Sequence, residues 1–322
     1  MLEIKEYKVL FLEYLKKRIK IKEPKNLYKP ITYIINLGGK RLRPILTLMS
    51  CDLFGGDRLE ALDAALAIEM FHNFSLVHDD IMDDASLRRG KKTVHEKWNL
   101  NTGILSGDAM LVLSNQLLES YKGDQFKRLI SLFNQTALEV CEGQQYDIDF
   151  ETRVNISIEE YIKMITLKTA VLVATSLKIG AMIALTDKDN LDNIYDYGIN
   201  LGIAFQLQDD YLDVFGDDDF GKKKAGDIVE NKKTFLFLKT LELANAMDKV
   251  ELLNMYAMEE FSEEKINSVI ELFRKYEMPK LMEEEIKKYT FRAQKNINNL
   301  SLHENKKNVL INFADQLMQR TV

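Results

Sequence analysis

Helical periodicity that runs for twenty residues at a stretch is the feature that most restricts this fold. "ALDAALAIEMFHNFSLVHDD" (61–80) sets Leu62, Ala65, Leu66, Ile68 and Met70 at helical spacing, with neither Gly nor Pro to interrupt it. "SGDAMLVLSNQLLESY", "SIEEYIKMITLKTAVLVATSLKIGAMIAL" and "NIYDYGINLGIAFQLQDDYLDVF" read the same way. Only 4 of the 322 residues are Pro and 15 are Gly, and no Ser/Gly/Pro-rich linker divides the chain. No run of alternating residues reads as a strand. Breaks near 36–40, 55–57, 88–92, 99–103, 122–125, 150–157, 186–190, 216–227 and 276–280 predict roughly ten or more helices on short connections. Ser157 stands three before Glu160, a capping-box pattern, and Pro44 suits the first turn of a helix. The expected fold class is all-α, a large single-domain helical bundle over residues 1–322.

With 46% hydrophobic residues the chain can bury a large core, and its net charge of −6 argues against a general nucleic-acid binder. Cys51 and Cys141 lie far apart outside any CxxC pattern, which fits a reduced, cytoplasmic setting. The N-terminal "MLEIKEYKVLFLEYLKKRIK" reads as an amphipathic helix and not as a signal peptide. "AVLVATSLKIGAMIAL" (170–185), interrupted by Ser176 and Lys178, is shorter than the ~20 residues a membrane span needs. It reads as a buried core helix, with no stable membrane insertion expected.

Against this background two acidic stretches stand out. "HDDIMDDASLRRG" (78–90) and "FQLQDDYLDVFG" (205–216) share a DDxxD spacing, in Asp79, Asp80 and Asp83 and again in Asp209, Asp210 and Asp213. Carboxylates one turn apart repel on a helix, and each cluster sits toward the C-terminal end of an apolar helix, where the macrodipole is also negative. A cation resolves both conflicts. Hard carboxylate oxygens suit Mg²⁺, which is usually held by one or two carboxylates together with substrate phosphates. Two facing helices with such ends would hold a Mg²⁺–phosphate cluster between them. One acidic helix end is commonly a solvated face; two at the same spacing, each followed by basic residues, point to metal. Asp84 falls outside the pattern and has no assigned role.

Positive charge occurs where phosphate would need it. "GGKRLRP" (38–44) offers Lys40, Arg41 and Arg43 at an expected helix start, where an anion is favoured and cations are not. Arg88 and Arg89, ahead of Gly90, suit forked contacts to diphosphate, although one arginine alone would be ordinary helix-end compensation. Lys168 and Thr169 interrupt an apolar helix; the lysine either reaches a phosphate or snorkels to water. Lys222, Lys223, Lys224, Lys232 and Lys233 follow the second cluster, some of them plain surface charge. His72, two turns before Asp79 on the same face, is either a ligand-binding or a core histidine.

Taken together, "GGKRLRP", "EMFHNFSLVHDDIMDDASLRRG", "LKTA", "FQLQDDYLDVFG" and "GDIVENKKT" resemble the trans-isoprenyl diphosphate synthases, the short-chain polyprenyl synthetases of the farnesyl/geranylgeranyl type. The resemblance implies the isoprenoid synthase fold, all-α around a deep central cavity, and a homodimer. It implies a prenyltransferase that condenses isopentenyl diphosphate head-to-tail with dimethylallyl, geranyl or farnesyl diphosphate, yielding a C15–C20 all-trans product with three Mg²⁺ ions. Asp79, Asp83 and Asp209 are implied as principal metal ligands, with Asp80, Asp210 and Asp213 close by. Lys40, Arg43, His72 and Arg89 match the isopentenyl diphosphate site. Arg88, Lys168, Thr169, Gln206, Lys222 and Lys232 match the allylic diphosphate clamp. The family often carries two glycines where Ala225-Gly226 precede Asp227, which leaves open whether Lys222 or Lys223 takes the clamp position. In the family, bulk just upstream of the first cluster sets product length, which nominates Phe71, Phe74 and Ser75. A class I terpene cyclase would be expected to replace "QDDYLD" with an Asn/Ser/Glu-type metal motif, and a non-catalytic subunit to lose aspartates or basic residues.

Overall fold

The computed structural model describes residues 1–216, 225–258 and 262–318. In chain order its helices are α1 (Ile4–Arg18), α2 (Lys25–Asn36), α3 (Leu42–Leu53), α4 (Leu62–Met82), α5 (Val94–Lys97), α6 (Leu100–Leu118), α7 (Gly123–Thr152) and α8 (Ile158–Ile165). A π-helical turn, Thr166–Ala170, leads into α9 (Val171–Ile183) and α10 (Lys188–Phe215). The chain finishes with α11 (Gly226–Val229), α12 (Phe235–Leu243), α13 (Ala246–Tyr256), α14 (Glu263–Lys275), α15 (Met278–Asn298) and α16 (Glu304–Met318). The all-α expectation holds, and the Ser157–Glu160 capping box forms as the sequence predicts.

Some helix ends lacked a strong signal. Pro24 is the one breaker in 19–24, and the breaks at 244–245 and 299–303 carry neither Gly nor Pro. A short strand pair, β1 (Leu87–Arg88) and β2 (Lys91–Lys92), was not foreseen. Two-residue strands are too short to show alternation. Their connection, Arg89 at φ 53° and Gly90 at φ 70°, is the left-handed two-residue turn that matches strand twist.

By contacts the chain divides into two compact units, Met1–Ala137 with Thr175–Tyr195, and Leu138–Ala174 with Asp196–Val322. Each passage from one unit to the other falls inside a helix, in α7, α9 and α10, and not in a linker. In the first unit α4 packs along α6 and α3 and buries Leu66, Ile68, Met70, Phe71 and Val77. In the second, Tyr161, Leu207, Phe237, Tyr256, Phe273 and Met282 belong to one apolar core.

The run from Ile158 to Ile183 is 26 residues long, longer than its apolar stretch implied, with a mean hydropathy of 1.4 in its most apolar window. It meets the length and composition of a membrane span, yet 78% of that window is buried inside the protein, as a core helix requires.

Candidate active site

The first aspartate cluster closes α4. Asp79 lies in its last turn, Asp83 is its C-cap, and the Asp83 N–H donates to the Asp79 carbonyl. Asp83 is exposed and Asp79 partly so, whereas Asp80, a third of a turn away, is fully buried. Arg88 reaches it from β1 and donates to Asp80 Oδ1 from Nε at 2.7 Å and Nη2 at 2.6 Å. Burial raises the Asp80 pKa, and Arg88 works against that rise. The other oxygen, Asp80 Oδ2, is buried without a hydrogen-bond partner.

Arg89 departs from Arg88 at once, because it sits in the turn. Its Nη1 donates to the Gly38 carbonyl. A Cβ on Gly39 would come within 2.8 Å of the Arg89 guanidinium, so Gly39 makes room for that side chain. Beside it, Arg43 Nη1 donates to His72 Nε2 at 3.2 Å, which leaves His72 neutral with its proton on Nδ1. Lost hydration, then Arg43, Arg89, Arg88 and Arg41, hold the His72 pKa well below its usual value. Lys40 is exposed on the same loop. The structure therefore gathers Arg43, His72 and Arg89 into one cationic patch, while Arg41 turns inward. Its backbone is left-handed at φ 55°, and its buried guanidinium donates to Glu69 and to the Ile35 carbonyl. Asn73 Nδ2 also donates to Glu69 Oε1, at 3.1 Å. Arg41 is thus the strut of the loop.

The second cluster lies in the last two turns of α10. Asp209 and Asp213 are partly exposed and Asp210 is buried, repeating the pattern of α4. Tyr161 on α8 donates its hydroxyl to Asp210 Oδ2, and Gln206 Nε2 donates to Asp210 Oδ1 at 2.9 Å. Thr169 Oγ1 donates to Gln206 Oε1 at 2.9 Å, closing a four-residue chain. Burial pushes the Asp210 pKa up to about 7 against the lowering by Tyr161 and Gln206, with Asp209 and Asp213 adding to the rise. Asp213 Oδ2 accepts the Asp227 N–H at 2.9 Å, and its carbonyl accepts the Ala225 N–H at 2.8 Å. Ala225 takes a left-handed φ of 58° here, a conformation a glycine would adopt without the cost of about 1 kcal/mol that a Cβ brings.

Lys168 and Thr169 lie in the π-helical turn, a form that often marks functional positions. Lys168 Nζ pairs with Asp147 on α7 at 2.5 Å. Gly143, one turn earlier on α7, faces the Lys168 backbone so closely that any Cβ would collide with it. Burial opposes the charge of Lys232, but Glu230, 2.7 Å away, and Asp227, 4.0 Å away, outweigh it and push its pKa up. Lys233 has a different task. Its ammonium donates to the carbonyls of Phe150, Glu151 and Arg153, capping the end of α7. Lys222 and Lys223 lie outside the described residues.

Tyr161, Asp147, Gly143 and Glu69 are the site-building residues that sequence reasoning missed. A tyrosine or glutamate at helical spacing reads as core or surface, and nothing in one chain marks its partner. Upstream of Asp79, Phe71 is buried, with its ring 5.5 Å from both Phe74 and Phe133. Phe74 is buried against His78 at 4.8 Å, and Ser75 Oγ donates to the His72 carbonyl at 2.9 Å.

Among the described residues no three His, Cys, Asp or Glu side chains form a metal cage. A hard cation held by one or two carboxylates and completed by phosphate oxygens needs none. Oxygen-only donors, clustered carboxylates and the orphaned Asp80 Oδ2 fit Mg²⁺.

Comparison with known proteins agrees in kind. The family model described as polyprenyl synthetase matches residues 24–273. A geranylgeranyl diphosphate synthase of Saccharolobus solfataricus is 40% identical over 79% of this chain and 78% of its own length. A geranylgeranyl pyrophosphate synthase of Geoglobus acetivorans is 35% identical over 98% of both chains. A crystal structure of a geranylgeranyl pyrophosphate synthase superposes with a TM-score of 0.95 at 51% identity, covering 100% of each chain.

Proposed function

The chain belongs to the polyprenyl synthetase family and is a prenyltransferase that lengthens allylic diphosphates with isopentenyl diphosphate; we propose that residues 1–322 act as one synthase domain, making an all-trans C15–C20 product with C20 as its end point. The observation that carries the site assignment is the repeated helix end: an aspartate pair four apart, each member exposed or partly so, with a buried aspartate between them tied into the fold, in α4 and again in α10. Asp79 and Asp83, with Asp80 behind them, and Asp209 and Asp213, with Asp210 behind them, would hold Mg²⁺, three ions when substrate is bound.

Bound Mg²⁺ supplies positive charge that stabilises diphosphate as a leaving group. Arg88, Lys168, Thr169, Gln206, Lys222 and Lys232 bind the allylic diphosphate and keep it oriented as the C1–O bond breaks, with the bonding pair leaving on oxygen. Lys40, Arg43, His72 and Arg89 hold isopentenyl diphosphate so that its double bond forms the new C–C bond at C1. His72 serves as a neutral hydrogen-bond partner, in keeping with its depressed pKa. No side chain stands out as general base, and the departed diphosphate takes the proton that restores the double bond. Phe71 and Phe74 keep water from the allylic cation and form the floor for the growing chain, with Ser75 beside them. We place the enzyme in the cytoplasm as a homodimer.

The test is a product analysis. Purified protein is incubated with isopentenyl diphosphate, Mg²⁺ and each allylic starter, and the products are identified by mass. A C15–C20 series is expected, and the absence of prenyl diphosphates with every starter would overturn the reading. Phe74→Ala should shift the products longer by one or more C5 units. An unchanged distribution would place the floor on another helix.

A further inference from the structure

We infer that Tyr161 is a positioning residue for the second aspartate cluster, acting through Asp210; the inference rests on the synthase reading above. Tyr161 is 1% exposed and comes from α8, a helix that supplies no carboxylate to the cluster. Its hydroxyl donates to one Asp210 oxygen, and Gln206 donates to the other. Thr169 then ties Gln206 back to the π-helical turn that follows α8. Two points along α8 and the π-helical turn after it, Tyr161 and Thr169, thus grip two points one turn apart on α10, Gln206 and Asp210. Such a grip fixes the rotation of α10 about its own axis. Asp209 and Asp213 share one face of that helix, about 100° and about 60° from Asp210 around the axis, so fixing Asp210 fixes the direction in which the pair projects.

The choice of tyrosine has a physical reason. Asp80 is held by an arginine, which neutralises it. A phenol holds Asp210 without adding positive charge, so the attraction of the neighbouring carboxylates for a cation is kept. Asp210, with a side-chain donor on each oxygen, serves as the anchor, and Asp209 and Asp213 do the binding.

Mn²⁺ binding to the full chain in the presence of inorganic diphosphate, followed by the paramagnetic resonance of unbound Mn²⁺, tests this without turnover. Tyr161→Phe should weaken that binding about tenfold, the scale of one hydrogen bond to a charged group. The Mg²⁺ concentration for half-maximal turnover should rise in parallel, while KM for isopentenyl diphosphate stays within about twofold. A lowered melting temperature with unchanged Mn²⁺ binding would make Tyr161 merely structural and overturn the inference. Asp210→Asn decides the matter even if Tyr161→Phe does not fold. Its amide oxygen still accepts the tyrosine proton, and with the Gln206 amide turned over its Nδ2 donates to Gln206 Oε1 while Thr169 Oγ1 accepts from Gln206 Nε2, so most of the Mn²⁺ affinity should remain. A loss as deep as that of Asp209→Ala would make Asp210 a ligand and refute the anchor role. If the wild type binds Mn²⁺ and diphosphate but forms no prenyl product, the synthase reading fails, and the Mn²⁺ measurements still judge Tyr161.

Discussion

The two aspartate-rich helix ends share their spacing and differ in how the middle aspartate is held. At α4, buried Asp80 is met by a cation, Arg88, at 2.6 Å. At α10, buried Asp210 is met by neutral donors, Tyr161 and Gln206. At Asp80 the guanidinium works against the rise in pKa that burial causes. Asp210, held by a phenol and an amide, is pushed up to about 7 and resists ionising until positive charge comes. The first end therefore carries a counter-charge of its own, and the second depends more on its ligand.

The largest effect should come from the exposed pairs themselves. Asp79→Ala and Asp209→Ala should each lower Mg²⁺-dependent diphosphate release about a thousandfold, the scale of a lost transition-state stabiliser. Near-normal turnover in either variant would remove that helix end from the metal site.

Arg88→Met comes next. It strands the Asp80 charge in the core and should cost roughly 3 kcal/mol of folding stability in urea denaturation. Gln206→Met, which removes a neutral donor, should cost about 1 kcal/mol. Equal losses would erase the contrast between the two ends.

The last prediction is a slope with pH. Asp210 has a higher pKa folded than unfolded, so between about pH 4 and pH 7 the native state binds the extra proton. Its contribution to metal-free stability falls as pH rises through that window, by at most ~1.4 kcal/mol per pH unit. Asp210→Asn should flatten that part of the stability–pH curve. An unchanged slope would mean that Asp210 is ionised throughout.

Much of this was legible in the sequence because it depends on neighbours along the chain. Helical spacing of Leu62, Leu66 and Met70 is a local pattern, and so is the Ser157–Glu160 cap. Asp79 with Asp83, and Asp209 with Asp213, are fixed on common faces by helix geometry alone. Like charges so placed demand a counter-charge wherever the helix ends up. The chain's family resemblance rests on the same local segments.

Other features depended on which side chains meet from distant parts of the chain, and only the tertiary structure decided them. Arg88 and Arg89 are adjacent in sequence, yet a tight turn sends one to Asp80 and the other to the Gly38 carbonyl. Lys232 and Lys233 diverge likewise, one toward Glu230 and Asp227, the other to cap α7. Arg41 resembles its neighbours Lys40 and Arg43 in composition but is buried on Glu69. Tyr161 has the periodicity of a core residue, and only its 49-residue reach to Asp210 shows its polar partner. A side chain's type limits what it can bind; the packing of its backbone sets what lies within a hydrogen bond of it.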